Sequence, residues 1–242
     1  MSSPRFYLCQ MLAPGARFSL PPGSARHAAR ALRLAAGDTL TLFNGQGGEY
    51  SARIDRINKD EVAVSVTGFS AIERESGLSV MLAQGISSGE RMDYTLQKAV
   101  ELGVTDIQAI AARRSVVKLT GERADKRVVH WQGVVASACE QCGRNRVPQV
   151  EQPLSLAAWL GRRPVGRVLF LSPRAASSLA SLARPEGLQI LVAGPEGGFE
   201  PDEIAALESA SATPVRLGPR VLRTETAALA ALAAMQTLWG DY

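Results

Sequence analysis

Three short stretches in the C-terminal third combine permissive backbone with residue types that bind or react. GPEGGFEPDEI (194–204) presents Gly194, Pro195, Glu196, Gly197 and Gly198 ahead of an acidic segment. LGPRVLRTETA (217–227) presents Leu217, Gly218, Arg220, Val221, Leu222, Arg223, Thr224, Glu225 and Thr226 ahead of an Ala/Leu-rich run. LSPRA (171–175) contributes Leu171 and Ser172. Each follows an apolar run that reads as a strand: LQILVAG, PVRLG and RVLFLS. Ligands of open α/β sheets bind at the carboxyl ends of strands. Three such loops can therefore form one pocket of main-chain N–H and C=O groups, apolar side chains and little charge. Such a lining suits an adenine and ribose held by main chain. For the first loop alone, a tight turn shaped by Pro195 and the glycines is the plainer reading.

The chemistry these loops exclude is equally informative. A phosphate-binding loop needs G-x-x-x-x-G-K-[ST], and GPEGGFEPDEI has no lysine. Its helix opens with Pro201, Asp202 and Glu203, so acids already occupy the positive end of the dipole and would repel a second anion. A dinucleotide site needs G-x-G-x-x-G in an early βα unit, and this loop has G-x-x-G-G spacing near the C-terminus.

The elements that must position these loops follow from pattern. Residues 1–70 read as a small β-rich unit. SARHAARALRLAAGD is expected to form a short helix with Ser24 as N-cap and Gly37 as its stop. Two strands flank NGQGG, and EVAVSVTGF alternates as a third. The polar stretch 68–77 is the expected linker. Beyond it, strands (LSVMLAQ, DIQAIAA, RVLFLS, LQILVAG, PVRLG) alternate with helices (GERMDYTLQKAVELGV, ERADKRVVHWQGVVASACEQC, TETAALAALAAMQTLWG). Met92, Leu96, Ala99 and Val100 share one helical face, and Gly103 can end that helix. The alternation predicts an α/β domain over 77–242 with a mostly parallel sheet.

Hydrophobic residues make up 46% of the 242 and charged residues 21%, a balance that describes a folded chain and not a disordered one. No apolar run is long enough to cross a bilayer and MSSPRFYLCQML lacks a secretory pattern, so a cytoplasmic location and no membrane association are expected. The net charge of +4 is unevenly placed. Residues 1–37 hold Arg5, Arg17, Arg26, Arg30 and Arg33 and no acid, while 113–146 hold eight Lys/Arg against three Asp/Glu, a local excess of five. Two basic patches suit a polyanion, or are simply solvated surface. Cys139 and Cys142 form a lone C-x-x-C. Zinc needs four ligands, and no second pair exists, so buried or semi-buried helix cysteines are expected and no metal.

These segments together resemble the RsmE family of SPOUT-class RNA methyltransferases. The resemblance rests on GPEGGFEPDEI with LGPRVLRTETAALAAL, on GERMDYTLQKAVELGV and SACEQCGRNRVP, and more weakly on HAARALRLAAGD. It implies a SPOUT-type α/β domain with a C-terminal trefoil knot, an exception to the rule against knots, preceded by a PUA-like β-barrel that binds RNA. It further implies a homodimer that binds S-adenosylmethionine in the knot and methylates N3 of a uridine in 16S ribosomal RNA of the small subunit.

On that resemblance Leu171, Ser172, Gly194–Gly198, Leu217, Gly218, Val221, Leu222, Arg223 and Thr226 hold the cofactor. A cation must stabilise the anion that develops on uracil. Arg223 is the first candidate and Arg220 the second, with Glu225 or Glu196 accepting the proton or orienting the arginine. A structural Arg223–Glu225 ion pair is the competing reading. Arg26, Arg30 and Arg33, at i, i+4, i+7, are expected to meet RNA phosphates, with Arg5, Arg144, Asn145 and Arg146. Alternatively, Asn145 and Arg146 order a loop, and His27 packs. Two rival functions are a SPOUT enzyme acting at another RNA site and a non-catalytic RNA-binding or ribosome-assembly protein.

Overall fold

The computed structural model describes residues 3–59 and 61–242; Met1 and Ser2, the start of the expected 1–70 unit, and Asp60 lie outside the described residues. The chain divides into two compact units, one of residues up to 75 together with 139–147, the other of 76–138 and 148–242.

In the first unit β1 (Arg5–Tyr7), β2 (Arg17–Ser19), β3 (Thr39–Phe43), β4 (Glu49–Asn58) and β5 (Glu61–Ser70) form one sheet in the order β1-β3-β4-β5-β2. Only β1 and β3 run parallel. Val62, Val64 and Val66 alternate inward along β5, the period-2 pattern of a half-buried strand. Phe6 of β1 and Phe18 of β2 pack on the same apolar cluster although their strands are the two ends of the sheet, so the sheet curls around a single core.

The expected helix at 24–37 takes a different form. It starts at Pro22 with Pro21 as N-cap, so α1 (Pro22–Arg26) contains Ser24 instead of being capped by it. Proline is pre-organised for the first helical turn. The chain then winds through one π-helical stretch, His27–Ala31. Arg33, at φ 54°, ends the element before Gly37 is reached. Arg26 and Arg30 remain helical and exposed, but Arg33 has left the helix and the three do not share one helical face. The His27 ring meets Phe6 edge-on at 5.8 Å, which is a packing role.

The segment 139–147 is built into this unit. Arg5 Nη2 donates to Asn145 Oδ1 at 2.6 Å, and Asn145 Nδ2 donates to the Ile72 carbonyl at 2.6 Å. The Arg144 guanidinium grips the Glu75 carboxylate, with Nη2 at 2.5 Å. Tyr7 N donates to Glu140 Oε1 at 2.8 Å. Of the expected linker 68–77, residues 68–70 belong to β5 instead, and residues 71–76 are irregular, with Ile72 and Glu75 tied by these bonds rather than loose.

The second unit runs β6 (Val80–Gly85), α2 (Gly89–Glu101), β7 (Asp106–Ala111), α3 (Glu122–Cys142), β8 (Gln149–Ser155), α4 (Leu156–Leu160), β9 (Arg167–Leu171), β10 (Gln189–Ala193), α5 (Pro201–Ser209), β11 (Thr213–Val215) and α6 (Thr224–Trp239), with the last turn of α3 joining the first unit. The six strands form a parallel sheet in the order β11-β9-β10-β6-β7-β8. Strands β6 and β10 are buried along their whole length, as parallel strands covered on both faces must be. Met81, Ala83, Ile190 and Val192 pack with α4 and α5 residues on one face. Pro214 is tolerated because β11 is an edge strand.

Helix α2 buries Met92, Leu96, Ala99 and Val100 and ends before Gly103 at φ 82°. A Cβ on Gly103 would stand 2.6 Å from Gln236 Nε2. Buried Gln236 joins three segments, its Nε2 donating to the Leu102 carbonyl at 2.9 Å and its Oε1 accepting from Ser76 Oγ at 2.7 Å. Among the described residues, no helix is long and apolar enough to cross a membrane.

Candidate active site

The loops after β9, β10 and β11 and the start of α6 enclose a cavity of about 940 Å³. It lies at the carboxyl ends of the strands, where the sheet topology places ligands. Leu171, Ser172, Gly194, Pro195, Glu196, Gly197, Gly198, Leu217, Gly218, Val221 and Leu222 all line it, as do Arg220, Arg223 and Glu225. Thr226 does not: it is exposed and off the cavity wall. Two helical residues turn the direction of a side chain by about 200°, so Thr224 faces inward in its place. Its Oγ1 donates to the Gly194 carbonyl at 2.5 Å and accepts from Gln84 Nε2 at 3.1 Å.

Glycine is required where loop meets sheet. A Cβ on Gly85, at the end of β6, would stand 2.4 Å from Pro195 N and 2.8 Å from the Gly194 carbonyl carbon. One on Gly197 would stand 2.9 Å from Arg114 Cβ.

The start of α5 is closed to anions, as its acids imply. Glu200 and Glu203 cap the helix reciprocally, with Glu200 N donating to Glu203 Oε2 at 2.9 Å. Glu203 Oε1 also accepts from Arg113 N at 3.0 Å. Arg114 Nε donates to Glu200 Oε1 at 2.8 Å, which holds the Glu200 carboxyl below its ordinary range.

The expectation of little charge is corrected. Six arginines (Arg91, Arg114, Arg174, Arg216, Arg220 and Arg223) face the cavity against two carboxylates, Glu196 and Glu225, a net of four positive charges. The lining therefore combines loop main chain and apolar side chains with guanidinium groups. The C-terminal motifs give no sign of Arg91 and Arg114. Both stand far from those motifs in sequence, after β6 and β7, and their only signal is the GERMD and AARRS segments that follow those strands.

Glu196 is held from outside its own loop. Its Oε1 accepts from Ser88 N and Ser88 Oγ, both at 2.9 Å, and from Arg91 Nη1 at 3.2 Å. Burial pushes the carboxyl up, but the hydrogen bonds from Ser88, its own backbone N–H and Arg91 outweigh it and leave the pKa below the ordinary carboxylate value. One oxygen of each carboxylate, Glu196 Oε2 and Glu225 Oε2, is buried with no partner among the described residues.

Arg223 caps α6 through its backbone, and its side chain makes no ion pair with Glu225 or any other acid among the described residues. The competing structural ion pair is therefore absent.

The expected RNA contacts divide by exposure. Arg26, Arg30, Arg33 and Arg146 are exposed. Arg144 and Asn145 are buried and committed to Glu75, Ile72 and Arg5, so they order their loop and do not offer a free surface. Arg5 is almost as confined, paired with Glu49 at 2.6 Å and stacked 4.9 Å from the Phe43 ring. Cys139 is buried and its thiol is pushed up to about 12 by burial. No metal-ligand cluster occurs among the described residues.

An RNA methyltransferase domain family matches residues 74–236, and an RNA methyltransferase PUA domain family matches 20–67. Fold and site thus define a SPOUT-type α/β RNA methyltransferase, the class with a C-terminal trefoil knot, preceded by a PUA-like unit. Ribosomal RNA small subunit methyltransferase E of Buchnera aphidicola is 32% identical over 239 residues, covering 98% of this chain and 97% of its own. The enzyme of the same name from Mycobacterium bovis is 33% identical, covering 96% and 91%. The crystal structure of ribosomal RNA small subunit methyltransferase E from Neisseria gonorrhoeae, bound to S-adenosylmethionine, matches with 42% identity and a TM-score of 0.93 over 100% of both chains. A Legionella pneumophila protein in complex with the same cofactor matches with 38% identity and a TM-score of 0.97, again over 100% of both. This chain belongs to the ribosomal RNA small subunit methyltransferase E family.

Proposed function

We propose that this chain methylates N3 of one uridine in 16S ribosomal RNA of the small subunit, using S-adenosylmethionine, as a cytoplasmic homodimer. Residues 1–70 are assigned to RNA binding and 77–242 to catalysis. The observation that carries this reading is the cavity itself. Pockets for a single drug-sized ligand span about 300–1,000 Å³. A volume of about 940 Å³, at the top of that range, with a lining of loop main chain, apolar side chains and arginines suits a cofactor beside a nucleotide.

The residues present fit the cofactor. Main-chain groups of the three loops match an adenine and ribose, and Leu171, Leu217 and Leu222 give apolar contact. The unpartnered oxygens of Glu196 and Glu225 suit ligand hydroxyl, ammonium or base N–H donors. When bound, the cofactor supplies a methyl group on a sulfonium sulfur, which keeps the S–C electron pair and leaves as a neutral thioether.

The chain's own task is to prepare the acceptor nitrogen. The proton on N3 must leave so that its electron pair can form the new N–C bond. Glu225 is assigned as proton acceptor through its buried oxygen. Arg223, with Arg220 beside it, is assigned to a uracil oxygen where negative charge develops. Glu196 is the poorer base, because its hydrogen bonds stabilise the ionised form. Much of the rate comes from holding nitrogen and methyl group in line.

The test incubates the protein with labelled cofactor and small ribosomal subunits and maps the methylated nucleotide. Label on N3 of a single uridine is the expected result. Label on a ribose 2′-hydroxyl or another RNA would assign a different target. Absence of both label and calorimetric cofactor binding would make the chain a non-catalytic RNA-binding protein.

A further inference from the structure

Four of the six cavity arginines, Arg174, Arg216, Arg220 and Arg223, make no side-chain hydrogen bond or ion pair among the described residues. Arg114 is held by Glu200 at the α5 cap and by the Gly197 carbonyl at 3.2 Å, at the far end of the loop from β6. Arg91 is held by the loop's own carboxylate, Glu196. Its guanidinium is anchored by Glu196 Oε1 at 3.2 Å, and that oxygen also accepts from Ser88 N and Oγ. Ser88 is the N-cap of α2, yet its side chain makes no capping bond to that helix. The hydroxyl donates to Glu196 instead. Glu196 thus closes the start of α2 from another loop and aims the first turn's arginine into the cavity.

Stabilising charge that develops in a transition state requires groups already oriented before the reaction. The uracil anion formed when N3 loses its proton spreads over two oxygens, O2 and O4, one on each side of the nitrogen. One cation serves one oxygen. We propose that Arg91 is a second catalytic cation, fixed in advance against the oxygen that Arg223 does not reach, and that Glu196 is its positioning residue. This rests on the uridine-N3 reading above. The balance of the step is unchanged: the N3 proton passes to Glu225, N3 takes the methyl group, and sulfur keeps the electron pair. Arg91 transfers nothing and only stabilises the anion.

The test measures single-turnover methylation of small subunits against pH, with cofactor affinity by calorimetry in parallel. Arg91→Ala is expected to slow the step about a hundredfold at neutral pH, as loss of one such donor does elsewhere, with cofactor affinity unchanged. Its rate should recover as pH rises, because N3 must then ionise without help, so the inflection moves to higher pH. Arg91→Lys keeps the charge without the fork and should recover part of the rate. Glu196→Gln keeps an acceptor for Ser88 but not the charge, and should show the same alkaline shift with a smaller loss.

An Arg91→Ala profile that matches the wild type overturns the proposal. So does a loss of cofactor affinity equal to the loss of rate, which would make Arg91 a cofactor ligand. An unshifted Glu196→Gln profile overturns the positioning role. If the wild-type protein methylates no uridine N3, the functional reading fails instead, and the two failures are distinguishable.

Discussion

Thr224 and Gly194 are 30 residues apart and joined by one hydrogen bond, Oγ1 to carbonyl at 2.5 Å. That bond ties the first residue of α6 to the loop after β10, and Gln84 Nε2 approaches the same hydroxyl from β6. Thr224→Val keeps the shape and removes the donor, which leaves a part-buried carbonyl without this bond at about 1–3 kcal/mol. Cofactor affinity measured by calorimetry should fall about tenfold or more. Thr224→Ser should bind nearly as the wild type, since it keeps the hydroxyl.

Arg223 has no partner to lose among the described residues. Arg223→Ala should therefore leave the melting temperature and cofactor affinity close to wild type while methylation of small subunits falls about a hundredfold or more. Full activity would remove Arg223 from the mechanism.

Arg26 and Arg30 are exposed on the helical stretch of the first unit. Charge reversal at both should weaken RNA binding and lower the slope of log affinity against log salt by roughly one for each phosphate no longer neutralised. Reversal at Arg144 should act differently. Its side chain is only 5% exposed and bonded to Glu75, so the expected loss is of folding stability.

Glu49 receives Arg5 at 2.6 Å and Arg74 at 3.2 Å. Burial pushes its carboxyl up, and the hydrogen bonds from Arg5, Arg74 and Asn145 more than offset that, leaving it below the usual carboxylate range. A depressed carboxyl stabilises the fold above its unfolded pKa, and that stability is lost as pH falls through the folded value. Glu49→Gln should lower denaturation stability by about 1.5–3 kcal/mol at neutral pH. The gap should close as the wild type is acidified below the ordinary carboxylate range, and a constant gap would exclude the charge as its cause.

Cys139 is sealed in the core with its thiol near 12, whereas Cys9 is exposed. Alkylation at neutral pH, read by mass spectrometry, should mark Cys9 first and Cys139 only when the protein opens. Stoichiometric zinc in the purified protein would contradict the packing role.

The three cavity loops are legible in the sequence because each pairs an apolar strand with a permissive turn, a local signal. Strand β8 is not, since QVEQPLS has one buried residue, Val150, and no alternation. Arg91 escapes a sequence reading for a topological reason. Ala193 of β10 sits beside Gln84 of β6, so the loops after the two strands are neighbours although about 110 residues separate them. Only the sheet order shows this, and no residue spacing encodes it. Arg144 and Asn145 read as candidate RNA contacts because their partners, Glu75, Arg5 and Ile72, are 69 to 140 residues away in sequence. The pocket reads as carrying little charge because the spacing describes the backbone of the loops and not the direction of their arginines.

The segment 139–147, which completes the first unit, has a consequence for synthesis. A ribosome releasing the chain from its N-terminus delivers Glu140, Arg144 and Asn145, which bond Tyr7, Glu75 and Arg5, only after it has passed residue 138. The N-terminal unit therefore waits, incomplete, while more than half of the polypeptide emerges. A fragment ending at residue 75 would lack part of its own framework, and the two units of this enzyme cannot be separated by one cut.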